Sequence, residues 1–238
     1  MESEVEGSHN QVPPTSRRLL VSISGLDGSG KSSNADALWE SLSQRGFHVA
    51  RAWAGYDAEL SLPFIALVRL LGYTRRTKIR GLPFFRREVW RNAAISRLWP
   101  LVLALDFVPH AFISVVLPLQ KGRIVICDRY VYDLVAELTQ ESTLGPRAKK
   151  TFLNFLPRPD IAFLIDVDED VAWKRIMVPG RARTQPFYDL STRRKIYLQL
   201  ATENGMIVLN GADDPVRNRQ EILSRTLSVL EEPVTLQS

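Results

Sequence analysis

The chain is short of cysteine, of long apolar runs and of strongly one-sided charge, and each shortage excludes something. Cys127 is the one cysteine among 238 residues. No intrachain disulfide can form, which fits a reducing compartment and a cytoplasmic location. Cys127 itself reads as a small buried hydrophobe. Residues 1–17 are acidic and polar, without the basic start or apolar stretch of a secretory signal, and read as a disordered arm. Residues 233–238 read as a frayed tail. No repeat or linker interrupts residues 18–232, so one domain is expected there. Pro100 to Leu119 is the one stretch whose length and apolarity suggest a membrane span. Asp106, His110 and the prolines at 100, 109 and 118 interrupt it, so it reads as a buried, kinked helical segment without stable membrane insertion. His110 reads as a satisfied core or boundary residue. The net charge is a modest +5. The exception is local: Arg75, Arg76, Lys78, Arg80, Arg86, Arg87 and Arg91 crowd one stretch with only Glu88 against them. That stretch reads as a basic rim for an anionic small substrate or a solvated face, and no nucleic-acid partner is expected.

What is present is a soluble-protein composition, 45% hydrophobic and 24% charged, with enough apolar residues for a sizeable core. Apolar runs at Leu19–Ile23, His48–Trp53, Arg123–Cys127, Ile161–Val167 and Met206–Leu209 read as five strands. Helical patterns lie between them: Ser32–Gln44, Leu60–Leu71, Glu88–Leu98, Val131–Leu138, Arg147–Phe155, Asp168–Met177, Leu190–Glu203 and Pro215–Leu230. The Gly81-Leu82-Pro83 sequence is expected to break any helix in the basic stretch. Alternation of this kind implies an α/β fold with a parallel five-stranded sheet covered by helices on both faces.

The stretch LLVSISGLDGSGKS carries the strongest chemistry. Gly25 to Ser32 fits G-x-x-x-x-G-K-[ST], between a strand and a helix as that pattern requires. Its backbone N–H groups, from Gly25, Leu26, Asp27, Gly28, Ser29, Gly30, Lys31, Ser32 and Ser33, would form a nest for the phosphates of ATP at a helix N-terminus. Lys31 would reach the β- and γ-phosphates, and the Ser32 hydroxyl would bind Mg²⁺. Asp128-Arg129-Tyr130 also follows a strand, and ligands in such sheets sit beyond the carboxyl ends of the strands. The two segments are therefore expected in one cleft. Asp166, Asp168 and Asp170 read as helix-capping rather than metal-binding residues.

These segments together resemble thymidylate kinase and the wider nucleoside monophosphate kinase family, with its P-loop NTPase-type fold. GLDGSGKS is similar to that family's phosphate loop, with Asp27 as its carboxylate, and CDRY at Cys127–Tyr130 is similar to its Asp-Arg-Tyr motif. LPRPDIAFLIDVDEDVAWKRI, from Leu156 to Ile176, is similar to its Pro-Asp strand and following helix, and IYLQLATENGMIVLNGADD to its closing helix and strand. The resemblance implies a magnesium- and ATP-dependent kinase transferring phosphate to a nucleoside monophosphate, dTMP foremost, in nucleotide biosynthesis. It implies that Asp27 touches the acceptor sugar, that Asp128 orients Mg²⁺ directly or through water, and that Arg129 binds the acceptor phosphate. Arg181 and Arg183 fall in the family's lid and would close over the phosphoryl group. Homodimers are common in the family.

The acceptor side departs from the pattern. Trp53 stands where the family has an arginine after the second strand. Leu105-Asp106-Phe107 stands for Ala-Asp-Arg, so Phe107 replaces a second arginine. Tyr132, Asp133 and Leu134 occupy the place where a polar residue reads thymine. Trp53, Phe107, Arg129, Tyr132, Asp133 and Asp27 are accordingly the candidate acceptor residues. Either the basic stretch supplies the missing charge, or the acceptor is another nucleotide, a nucleoside or a phosphorylated metabolite. If the acceptor is a hydroxyl, Asp27, Asp128 and Asp133 are the candidate bases. A non-metabolic NTP-binding switch ranks lowest: no guanine-reading Asn-Lys-x-Asp occurs, and Arg129 rather than glutamate follows Asp128.

Overall fold

A computed structural model describes residues 18–55, 59–79, 82–141, 143–177 and 189–231. The arm at 1–17, the tail at 233–238, Arg80 and the lid arginines Arg181 and Arg183 lie outside the described residues.

Five strands form one parallel sheet: β1 (Leu19–Gly25), β2 (Val49–Trp53), β5 (Ile124–Asp128), β6 (Ile161–Asp166) and β7 (Ile207–Asn210), in the order β2-β5-β1-β6-β7. The expected five-stranded α/β sheet is therefore the observed one. β1 is buried along its whole length, as a central parallel strand covered on both faces must be. Its odd-numbered residues Leu19, Val21 and Ile23 join Ile124, Ile126, Phe163 and Ile165 under α1 (Lys31–Gln44) and α9 (Pro215–Glu231). Leu20 belongs to the other core, with Val125, Cys127 and Leu164. That core is closed by α3 (Ala93–Ala111), α5 (Val131–Gln140) and α8 (Leu190–Asn204). Helices α6 (Pro146–Phe155) and α7 (Glu169–Ile176) complete the connections around β6. The β1–β5 register aligns Ile23 with Asp128, so the two motif-bearing segments leave the sheet side by side.

The region between β2 and β5 differs most from expectation. After α2 (Leu62–Leu70), the basic stretch forms an antiparallel hairpin, β3 (Thr74–Ile79) and β4 (Leu82–Arg87), pairing Thr74 with Arg87 and Ile79 with Leu82. Gly81 and Pro83 signal a turn here, but a turn signal does not say whether the flanking chain pairs. A 3₁₀ turn at Val89–Arg91 then leads to α3, whose Asn92 cap accepts from the N–H groups of Ala94 and Ile95. The stretch from Ala93 continues through a π-helical segment, Phe112–Val116, into α4 (Leu117–Gln120). Pro100 and Pro109 lie inside α3, and the π segment follows Pro109 closely, a place where a helix loses its regular bond ladder. Asp106 in this apolar helix accepts from the N–H of Leu60 at 2.5 Å and of Ser61 at 3.2 Å, fixing the entry to α2. A buried carboxylate is tolerable there because it satisfies backbone donors.

Candidate active site

The phosphate loop is built by glycines in conformations that side chains avoid. Gly25 has φ +148° and Gly28 φ +82°. A Cβ on Gly25 would come within 2.5 Å of the Ile165 carbonyl, and one on Gly28 within 2.7 Å of the Ala172 carbonyl. The loop thus lies directly on β6 and α7, which is possible only without side chains. Arg175 of α7 braces it, donating from Nη1 to the carbonyls of Gly28 (3.2 Å) and Gly211 (3.0 Å). Lys31 folds back over the loop, its Nζ donating to the Leu26 carbonyl at 2.8 Å and standing 3.6 Å from Asp27 Oδ1. Burial pushes the Lys31 ammonium below its usual pKa, helped by Arg129 and opposed by Asp27. Ser32 and Ser33 are exposed in the first turn of α1. Ser29 is buried and its hydroxyl has no hydrogen-bond partner among the described residues.

The strand end of β5 supplies the opposing wall. Arg129 is the one non-glycine among the described residues with positive φ, +74°. A left-handed arginine is strained, and such strain concentrates where a side chain must be aimed. The guanidinium bonds Asp27 Oδ1 and stands 3.6 Å from Asp133 Oδ1. Burial alone would raise the Asp27 carboxyl, but Lys31 and Arg129 hold it below the usual carboxylate range. Asp133, at 5% exposure, is saturated within the fold. Its Oδ2 accepts from Ser24 Oγ (2.7 Å) and the Tyr130 N–H (3.0 Å), and its Oδ1 from Tyr197 Oη (2.7 Å). Asp128 is also buried, yet its Oδ1 has no hydrogen-bond partner among the described residues. Arg51 of β2 pairs with Asp36 of α1 and lies 3.9 Å from Asp128 Oδ2.

The remaining acceptor candidates divide. Trp53 ends β2 opposite Asp128, accepts from His110 Nε2 through its carbonyl at 2.7 Å and meets the His110 ring edge-on. Phe107 and Tyr132 are buried in the core, and the Phe107 ring packs on Tyr130 at 6.4 Å. Burial raises the Tyr132 hydroxyl. The basic stretch is partly committed elsewhere. Arg87 bonds Glu137 (2.7 Å) and Glu141 (2.6 Å) on and just beyond α5, Arg86 lies over Trp90, and Arg91 pairs with Glu88. Arg75, Arg76 and Lys78 are exposed. Asp168 caps α7 by accepting from Asp170 N–H, and Asp166 takes Arg194 through both oxygens at 2.8 and 2.9 Å. Neither is therefore arranged as a metal ligand.

Sequence reasoning passes over Ser24, Arg51, Arg175, Arg193 and Tyr197. None belongs to a short motif, and only the packing of α1, α5, α7 and α8 against the sheet and the pairing of β2 with β5 bring them in. An alternating strand pattern could single out Ser24 and Arg51 as polar residues on strands, but not their partners.

Comparison with known proteins agrees with this geometry. The thymidylate kinase family model matches residues 96–222. A probable thymidylate kinase of Sulfurisphaera tokodaii is 27% identical over 215 residues, spanning 89% of this chain and 95% of its own. One from Pyrococcus abyssi is 30% identical over 192 residues, covering 78% and 83%. A thymidylate kinase of Fervidobacterium nodosum is 29% identical over 202 residues, covering 81% and 90%. With the phosphate loop, the left-handed Arg129 and the Asp27–Arg129–Asp133 cluster already in one cleft, these matches establish that the chain belongs to the thymidylate kinase family.

Proposed function

We infer that the chain is an ATP-dependent nucleotide kinase that transfers the γ-phosphoryl group of ATP to dTMP, giving dTDP. The observation that carries this is the convergence of Lys31, Asp27 and Arg129 where β1 and β5 end. Phosphoryl transfer needs alignment and charge neutralisation more than covalent help. The loop N–H groups from Gly25 to Ser33 and the Lys31 ammonium would hold the β- and γ-phosphates. Arg129, aimed by its φ and by Asp27, would meet the acceptor phosphate. Ser32 and Asp128 fit Mg²⁺: an exposed hydroxyl at the helix start and a buried carboxylate oxygen without a partner are the sparse oxygen donors that this ion takes alongside substrate phosphates. When bound, Mg²⁺ would neutralise charge on the triphosphate. Arg181 and Arg183 would cover the transferring group from the lid.

The carboxylates argue for a phosphate acceptor over a hydroxyl. A hydroxyl needs a base within reach, whereas Asp133 has both oxygens occupied, Lys31 and Arg129 make Asp27 a weak base by holding its carboxyl below the usual range, and Asp128 is the carboxylate that would face Mg²⁺. A phosphate oxygen is already deprotonated. Asp27 would then contact the acceptor sugar, Trp53 would border the pocket, and Phe107, Tyr132 and Asp133 would act from behind it by fixing Tyr130 and Arg129. Turnover with Mg·ATP on a panel of nucleoside monophosphates, nucleosides and sugar phosphates tests this. The highest kcat/KM is expected with dTMP, and preference for thymidine or a sugar phosphate overturns it.

We also propose one cytoplasmic domain over residues 18–232, acting on small nucleotides, and a homodimer. Exposed apolar residues recur at three- and four-residue spacing on α2 and its flanks (Leu60, Phe64, Leu67, Leu71) and on α3 (Leu98, Leu101, Leu105), with Phe112 seven residues further on in its continuation. Among the described residues, the helix from Ala93 to Gln120 is the one long and apolar enough to cross a bilayer. The three-four seam suits another helix pair, as a second copy would present. Leu101→Glu with Leu105→Glu should convert a dimer to a monomer in sedimentation equilibrium. A wild type already monomeric at micromolar concentration removes this proposal.

A further inference from the structure

Helix α2 is apolar on every side. Between Glu59 and Arg75 the chain carries one charged residue, Arg69. Ser61, Ile65 and Val68 turn one face of the helix to the core. Leu60, Phe64, Leu67 and Leu71 form the stripe assigned above to a second copy. A third face remains, carrying Leu62, Ala66 and Leu70 at four-residue spacing, all exposed, Leu70 at 83%. A helix face turned to water normally carries polar residues, and a helix that is apolar all round is covered by core or by lipid. The fold and the dimer cover two faces of α2 and leave the third.

The chain passes from this helix straight into a strongly basic surface. Gly72 turns it at φ +77°, and β3 begins at Thr74. The base of the hairpin is fixed: the Glu88 N–H donates to the Tyr73 carbonyl at 2.7 Å, and Arg87 is paired with Glu137 and Glu141. Arg75, Arg76, Lys78 and Arg86 are exposed on it. Arg75 and Arg86 stand directly opposite each other in the strand register, where like charges repel. Arg86 stacks over Trp90, and no carboxylate pairs with Arg75, Arg76 or Lys78 among the described residues. The repulsion between the two strands is relieved by a negatively charged partner.

We propose that the third face of α2 and the basic hairpin dock the protein reversibly on an anionic lipid bilayer. Charge complementarity selects this occupant. A lipid surface offers phosphate to the exposed cations and, just beneath, an apolar boundary to Leu62 and Leu70. A nucleic acid offers the phosphates but nothing for an aliphatic stripe. The contact is interfacial, since the 9 residues of α2 are too few to span a bilayer. It uses neither the phosphate loop nor the stripe proposed for the dimer, so it does not depend on the identity of the acceptor.

Co-sedimentation of the full chain with phosphatidylcholine vesicles, with and without phosphatidylglycerol, tests the assignment. Binding is expected to the mixed vesicles and not to phosphatidylcholine alone, with release as salt rises from about 0.1 to 0.5 M. Arg75→Ala with Arg76→Ala should weaken binding about 10- to 25-fold, at about fivefold for each cation near an anionic surface. Leu62→Ser with Leu70→Ser should weaken it about tenfold through lost apolar burial. All four positions are exposed, so the variants keep the fold. Absence of binding to the mixed vesicles overturns the proposal, as does binding that survives the arginine changes. Binding of a DNA duplex in place of vesicles, lost with the arginines and indifferent to the leucines, makes the surface a nucleic-acid site and overturns it as well. So does a rise in the KM for dTMP in the arginine variant with vesicle binding intact, which assigns these charges to the acceptor.

Discussion

The two halves of the cleft are made in different ways. The donor half is one continuous segment: strand, glycine turn and helix start lie within Leu19 to Ser33, and their geometry follows from local backbone rules. The proposed acceptor half is assembled from β5, α5 and α8, with β2 and α3 at its border, and Asp133 within it is held by the long-range contacts Ser24–Asp133 and Tyr197–Asp133. Local construction makes a site robust and easy to read. Distributed construction leaves single positions such as Trp53 and Phe107 without a local rule that fixes their identity.

The largest expected effect lies in the donor half. Lys31→Ala should lower kcat by about 10²- to 10³-fold, the usual consequence of removing one preorganised donor to developing phosphate charge. Its melting temperature should stay close to the wild type, because among the described residues the side chain bonds Leu26 and Asp27 in its own loop. Near-native turnover would break the comparison at its stronger side.

Of similar size is the anchor of the hairpin. Arg87→Ala would leave Glu137 and Glu141 facing each other in a part-buried site with Trp99 Nε1 donating at 2.6 Å to Glu141. Removing one partner of a buried ion pair costs about 3–5 kcal/mol. Arg75→Ala and Arg76→Ala, on exposed strand positions, should stay within about 0.5 kcal/mol. Chemical denaturation separates the two groups. Equal stabilities would mean that the hairpin is not held by this pairing.

Replacing Arg181 and Arg183 together with alanine should lower kcat about 100-fold with little change in the KM for ATP, as for groups that act mainly in the transition state. A change confined to KM would move both residues to ground-state binding. Smaller still is Tyr197→Phe, which removes one hydrogen bond to Asp133 and should cost about 1–2 kcal/mol, or roughly 2–8 °C in Tm for a domain of this size. A comparable loss of dTMP affinity with thymidine affinity intact would show that Asp133 aims Arg129 through Tyr197.

How much of this was legible follows the same division. The sheet could be read because five apolar runs bounded by helical patterns leave few alternatives, and Gly25 to Ser32 could be read because its backbone demands glycine at fixed places. Asp128 and Arg129 could be placed at a strand end, but nothing local predicts φ +74° at Arg129. The hairpin at Thr74–Arg87 is hidden by its charge: the seven basic residues from Arg75 to Arg91 suggest a solvated rim, and pairing of Arg75 with Arg86 across two strands has no local signal. Pro100 to Leu119 is helical, as expected, but the expected burial holds in part only, since its outer face is exposed at Leu101, Leu105, Phe112 and Ile113.

The smallest expected effect concerns Glu141 and fixes the border between the halves. Burial pushes its carboxyl above the ordinary value of 4.5, Glu137 adds to the rise, and Arg87 opposes it. Because the folded pKa lies above the unfolded one, the native state binds the extra proton in the interval between them. Glu141 therefore contributes most to stability below pH 4.5 and loses that contribution as pH rises through its folded pKa. Glu141→Gln cannot titrate. The stability of the wild type minus that of the variant should fall as pH rises from about 4.5, by no more than about 1.4 kcal/mol per pH unit, and then level off. Urea denaturation at half-unit pH steps reads the difference directly. A difference that instead grows with pH would mean that Arg87 outweighs burial, making the hairpin anchor a net ionic attachment of the kind that could hold charge at the acceptor rim. A difference that falls shows that burial of Glu141 outweighs its attraction to Arg87, although the pair still joins the hairpin to α5.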